Sequence, residues 1–176
     1  MMHGFMDEST RGRYLVCVVV LAPVDLSPTR QALKKLCKPG QHRIHMSSEG
    51  DSRRREILSA IDQLGLQGHV YESDIGSRPQ RQARDDCLRA VVPDLVNINV
   101  TRLVIESCDQ DRQDRLVVQE CLAKAEVSDR FTYCHDRPTT EPLLWAPDIL
   151  AWAYGKGGDW RRRANGTVSS VTRLTS

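Results

Sequence analysis

Several familiar signatures are missing from this 176-residue chain, and each gap removes a class of protein. There is no G-x-G-x-x-G and no G-x-x-x-x-G-K-[ST] loop, so phosphate cradling by backbone amides lacks its usual sequence sign. The six cysteines (Cys17, Cys37, Cys87, Cys108, Cys121 and Cys134) form no C-x-x-C pair. Most fall in expected strands or helices, where cysteine acts as a small hydrophobe, and free thiols fit a reducing compartment. The His42-x-x-His45 pair and Cys134-His135 lack the spacing of a structural zinc site. The longest apolar run, Tyr14 to Ala22, is far shorter than the roughly 20 residues a membrane helix needs, and no basic-then-apolar leader is read. The sequence therefore predicts a cytoplasmic protein with no membrane partner. Net charge is also small, +2, so any affinity for nucleic acid must come from local arginines.

What is present describes one folded domain. Hydrophobic residues make up 40% and charged residues 27%, near globular averages, and the length suits a single core. The spacing predicts a strand over 3–9, a turn at Thr10-Arg11-Gly12-Arg13 and a valine-rich strand over 14–22 buried on both faces. A helix starting at Ser27-Pro28 and closed by Pro39-Gly40 follows, then an extended piece over 43–46. Gly50-Asp51-Ser52 opens a second helix carrying Ile57, Leu58, Ile61 and Leu64 on one face. Strands at Val70-Tyr71, 102–106 and 131–134 then alternate with helices over 79–92, stopped or kinked by Pro93, and over 111–125, with Leu116, Val118, Cys121, Leu122 and Ala125 inward. A last helix runs over 146–154. Residues 1–160 read as one domain and 161–176 as a basic, flexible tail.

This order, a hairpin, a helical insertion after the second strand, then alternating strands and helices, predicts an α/β RNase H-like fold: a mixed five-stranded sheet flanked by helices. A doubly wound nucleotide-binding fold is the main competitor.

Three acids stand out against that topology. Side chains alternate along a strand, so Asp7 shares a face with Phe5 while Met6 and Glu8 point the other way. Glu106 follows Leu103-Val104-Ile105, and if the two strands are parallel neighbours both acids emerge at the sheet edge where open α/β sheets bind ligands. Asp148 sits between Leu144-Trp145 and Ile149-Leu150, an apolar setting in which a carboxylate needs a partner. Carboxylates sharing one site repel unless a hard cation such as Mg²⁺ or Mn²⁺ takes the oxygens. Such a site hydrolyses phosphodiesters by orienting water on one metal and stabilising the leaving oxygen on another, the two ions roughly 4 Å apart. Structural uses compete: turn formation by Asp7, pairing of Glu106 with Arg102 or Arg112, and helix capping by Asp148.

The sequence resembles the bacterial proteins grouped as domain of unknown function 3800 (DUF3800). Their opening Asp-Glu-Ser-Gly is matched by Asp7-Glu8-Ser9-Thr10, a Glu-x-His-like piece by Arg43-Ile44-His45, and a Gln-x-Ala-Asp helix start by the stretch Trp145-Ala146-Pro147-Asp148. Thr10, Arg43 and Pro147 depart from the pattern. The resemblance implies metal ligation by Asp7, Glu106 and Asp148. Further candidates are Glu8, if the strand bulges, His45 for proton transfer, and Asp109, Asp111 or Asp114 for a second ion.

The expected function is therefore a divalent-metal-dependent nuclease acting on DNA or RNA, using Mg²⁺ or Mn²⁺, as a monomer or homodimer. Arg53, Arg81 and Arg84 are the arginines assigned to phosphate contact, with solvated helix faces as the competing use of these clusters. Two alternatives stand beside it: a catalytically inactive RNase H-like module binding nucleic acid or a protein, and a small-molecule nucleotide phosphohydrolase. Trp145, Trp152 and Trp160 either stack bases or pack under the last helix, and packing is the expected use.

Overall fold

The computed structural model describes residues 1–10 and 13–175. The chain opens with β1 (Met2–Ser9) and β2 (Tyr14–Leu21), an antiparallel pair in which Asp7 lies opposite Cys17. Every residue of β2 is buried, as its valine content implies. Leu15, Cys17, Val19 and Leu21 enter one core while Val16, Val18 and Val20 enter the other. The helical insertion follows as α1 (Pro23–Leu36) and α2 (Asp51–Gln63), joined by a segment with a 3₁₀ turn at Met46–Ser48 and no strand. Helix α1 begins at Pro23, ahead of the expected Ser27-Pro28 start. A proline in the first turn gives up an N–H that has no helical partner there.

The second half alternates β3 (Gln67–Ser73), α3 (Gln80–Asn97), β4 (Val100–Glu106), α4 (Asp111–Lys124) and β5 (Thr132–Asp136), then α5 (Trp145–Lys156), α6 (Gly158–Ala164) and β6 (Val168–Leu174). The strands form one mixed sheet in the order β5-β4-β1-β2-β3-β6. It is antiparallel across β1, β2 and β3, and parallel where β4 pairs with β1 and β5, and β6 with β3.

Three sequence expectations are corrected. Among the described residues the sheet has six strands rather than five, because the stretch assigned to a loose tail completes α6 and then forms β6 on the edge of β3. Pro93 does not end α3, which continues to Asn97 because Val91, Val92 and Leu95 are all packed in the core. Leu116 is exposed and Val117 takes the inward position with Val118, a one-residue shift of the buried stripe of α4.

The insertion and α5 cover the face that carries Phe5, Cys17 and Val104, whereas α3 and α4 cover the face that carries Met6 and Ile105. Gly68 in β3 permits the close approach of α5: a Cβ there would stand 2.7 Å from Leu150 Cδ1. Trp145 Nε1 donates to Pro138 O, and Trp152 meets Trp160 edge-on at 5.4 Å, so these tryptophans pack around the last helices.

The α3/α4 face contains a buried ion pair. Arg84, only 2% exposed, donates from Nε and Nη2 to the two oxygens of Asp114, each at 2.8 Å. Its Nη1 lies 2.7 Å from Glu8 Oε2 and 3.2 Å from Tyr14 Oη. Burial opposes ionisation of Asp114, yet hydrogen bonds from His135 and Arg84 hold its carboxyl well below the usual range. Removing one member strands the other in a dry interior. Asp114→Ala is expected to cost about 3–5 kcal/mol in urea denaturation, and the double variant Arg84→Met/Asp114→Leu to recover much of that loss.

Candidate functional site

Alternation along β1 delivers Asp7 to the α5 side of the sheet and Glu8 to the opposite side. Strands β1 and β4 run parallel with Met6 opposite Ile105, so the next residues, Asp7 in β1 and Glu106 at the end of β4, lie side by side where this pairing stops. Helix α5 brings Asp148 over them in its first turn, among side chains that are all buried. Asp7 is 7% exposed and Asp148 8%, so both carboxylates are largely withdrawn from water.

The three acids feel one another. Burial, followed by the charges of Glu106, Glu8 and Asp148, pushes the Asp7 carboxyl well above its ordinary value of 3.8. Burial likewise raises Glu106, opposed by Arg43 and by a side-chain hydrogen bond with Asp7, and assisted by Asp148 and Glu8. Asp7 Oδ1 accepts a hydrogen bond from Glu8 N at 2.7 Å. Glu106 Oε2 is buried and has no hydrogen-bond donor among the described residues. A buried carboxylate oxygen without a donor is costly. It belongs to the kind of oxygen that Mg²⁺ and Mn²⁺ bind, so the donor set fits a hard cation.

The insertion supplies the remaining wall. Met46 N donates to Asp148 Oδ2 at 3.0 Å, and His45 Nδ1 lies 3.5 Å from Asp148 Oδ1. The Asp148 hydrogen bond raises the His45 pKa against partial desolvation. Arg43 bridges the two sides: its Nη2 is 3.2 Å from His45 Nδ1, and its Nη1 is 3.7 Å from Glu106 Oε1. One ring nitrogen therefore faces both an acid and a guanidinium. Protonated, it donates to Asp148; neutral, it accepts from Arg43.

The other sequence candidates lie elsewhere. Glu8 is held by Arg84 across the sheet. Asp109 is exposed in the loop after β4. Asp111 accepts from Ser107 Oγ at 2.7 Å and from Cys108 N at 2.8 Å, and so braces that loop. Among the described residues, the ligand atoms of Cys108, Asp111 and Asp114 lie within 4.8 Å of one another, a tighter grouping than Asp7, Glu106 and Asp148 make. The Asp114 oxygens, however, already receive Arg84, Arg81 and His135, and Asp111 is occupied as described. That group is a finished hydrogen-bond network rather than an open site.

The three arginines assigned to phosphate contact also turn inward. Arg84 is buried in its ion pair, Arg53 is 8% exposed and pairs with Glu56, and Arg81 binds Asp85, Gln110 and Asp114. Arg43, named in the sequence only as a departure from a motif, is the arginine that reaches the acids. Asp136, which pairs in register with Glu106 at the end of β5, also lies at this edge and was not among the sequence candidates. Its place as the last residue of a parallel strand was the available signal.

Neither protein-family models nor curated proteins give a match to this chain. Among solved structures, it is similar to a chain in the structure of the PCNA:RNase HII complex from Archaeoglobus fulgidus. That neighbour, the RNase HII, is 14% identical with a TM-score of 0.60, over 94% of this chain and 78% of that one. The likeness shows the fold, which is RNase H-like.

The raised proton affinity of Asp7 sets a pH dependence. Its folded-state pKa exceeds the unfolded one, so the protonated form favours folding, and that stability is lost as pH rises from the ordinary carboxylate range through the elevated value. In EDTA, Asp7→Asn is expected to melt several degrees above the wild type at pH 7, with the difference closing below pH 4. A Tm difference that does not vary with pH would overturn this account.

Proposed function

We propose that the chain is a divalent-metal-dependent nuclease of RNase H-like type, hydrolysing phosphodiester bonds in DNA or RNA. Asp7, Glu106 and Asp148 would hold Mg²⁺ or Mn²⁺. The observation that carries this reading is the convergence of three carboxylates from separate elements in a pocket where burial and mutual repulsion raise the proton affinity of Asp7 and Glu106. Structural carboxylates in this protein behave otherwise: Asp114 is matched by arginines and stays ionised. The unpartnered Glu106 Oε2 adds an acceptor with no donor.

When bound, the cation would supply activation of a water nucleophile and stabilisation of the leaving oxygen. The chain's own residues set the stage for that chemistry. Met46 N and His45 fix the orientation of Asp148. Glu8 N fixes Asp7. His45, with 43% of its side chain exposed and its proton affinity raised, is placed to hold a proton at Nδ1 beside the acids.

We infer further that the chain is a distant member of domain of unknown function 3800. Support comes from position: the Asp7-Glu8-Ser9, Arg43-Ile44-His45 and Trp145-Ala146-Pro147-Asp148 pieces border one pocket although the sequence separates them widely. Its partner would be nucleic acid. The RNase HII neighbour favours that substrate class over small nucleotides.

Saturating Mn²⁺ is expected to raise the Tm by roughly 5–10 °C, as a ligand about a hundredfold above its Kd does for a domain of this size. Asp7→Asn and Asp148→Asn should each abolish the shift and the Mn²⁺-dependent cleavage of labelled DNA or RNA oligonucleotides. A shift that survives both substitutions removes this site. Salt-dependent oligonucleotide binding with no cleavage across several metals would assign an inactive binding module instead.

A further inference from the structure

Two buried groups in this pocket lack partners among the described residues, and they are of opposite character. Glu106 Oε2 is an acceptor without a donor, and Arg43 Nε is a donor without an acceptor. They belong to side chains already in loose contact, with Arg43 Nη1 3.7 Å from Glu106 Oε1. The Arg43 side chain is 29% exposed and the Glu106 side chain 19%, so both are partly buried rather than on an open surface. They do not satisfy one another, and each alone carries a desolvation cost. A single ligand type relieves both: a cation for Glu106, carrying an anionic oxygen for Arg43.

The charges point the same way. Asp7, Glu106 and Asp148 carry three negative charges when ionised and Asp136, in register beside Glu106, a fourth, whereas Glu8 is neutralised across the sheet by Arg84. One divalent ion and the Arg43 guanidinium supply three positive charges. A second divalent ion would leave the edge with excess positive charge, set beside an arginine that stays charged at every accessible pH. His45 also packs against Arg43, leaving the guanidinium held between an imidazole and a carboxylate.

We propose that Arg43 takes the place of a second metal ion: the pocket binds one divalent cation, and Arg43 supplies the other positive charge, its free Nε donating to a non-bridging phosphate oxygen of the substrate. This rests on the proposed metal site. It gives Arg43 a substrate-positioning role that Lys, a point charge without a planar fork, fills only in part.

Calorimetric titration of the full chain with Mn²⁺, read with the Mn²⁺ electron paramagnetic resonance spectrum, counts the ions. One magnetically isolated Mn²⁺ per chain is expected in the wild type and in Arg43→Lys. Arg43→Gln, checked for folding by its melt, is expected to bind that ion roughly tenfold more tightly, the effect of removing one unit charge that repels a divalent ion near water. A spin-coupled Mn²⁺ pair in the wild type, or unchanged affinity in Arg43→Gln, overturns the role of Arg43 and leaves the metal site standing. No Mn²⁺ bound by the wild type removes the metal site itself, and this proposal with it.

Discussion

The parallel pairing of β1 with β4 governs this molecule, because it sets the carboxylates of Asp7 and Glu106 side by side on one face of the sheet. Like charges at that spacing resist ionisation. The sheet register cannot relax to separate them, since a slip of one residue would turn Phe5, Asp7 and the core-facing half of β1 to the wrong side. What surrounds the edge therefore answers a charge problem set by the backbone. The insertion brings Arg43, His45 and the Met46 amide, and α5 adds a third acid where apolar packing alone would have placed none.

The opposite face solves a similar problem in a different way. There Glu8 and Asp114 meet a fully buried Arg84, with Tyr14 completing its donor set, and every charge has a fixed counterpart. Asp7 and Glu8 are adjacent in sequence, yet one lies beside acids and the other beside an arginine. A single strand thus joins a closed electrostatic network, which holds α3 and α4 to the sheet, to an open one. The two networks differ in openness: Glu106 Oε2 and Arg43 Nε stay unmatched on one face, and both oxygens of Asp114 on the other are engaged.

Much of this was legible in the residues. The period of two in β1 and the apolar run before Glu106 placed both acids on one edge, and the polar residue inside an apolar helix marked Asp148. Arg43 was harder to read because it lies in an irregular segment, where no periodicity says which way a side chain points. Arg53, Arg81 and Arg84 were misread for the opposite reason. On a helix a basic residue looks solvated, and only the tertiary arrangement shows Asp114 beneath Arg81 and Arg84 and the burial of Arg53. Strand β6 escaped notice because its half-exposed edge position admits Ser169, Ser170 and Thr172 in place of the apolar residues that announce an inner strand.

Strand β6 carries a consequence for biosynthesis. Its partner β3 leaves the ribosome about a hundred residues earlier, and the helix that bears Asp148 also follows β1, β2, β3 and β4 in synthesis. During that interval the nascent sheet has an unpaired β3 margin, and the face of β1 and β4 that α5 later covers has no lid. The emerging chain is thus most prone to sticking to other chains before these late elements dock, and the acidic pocket comes together only when they do.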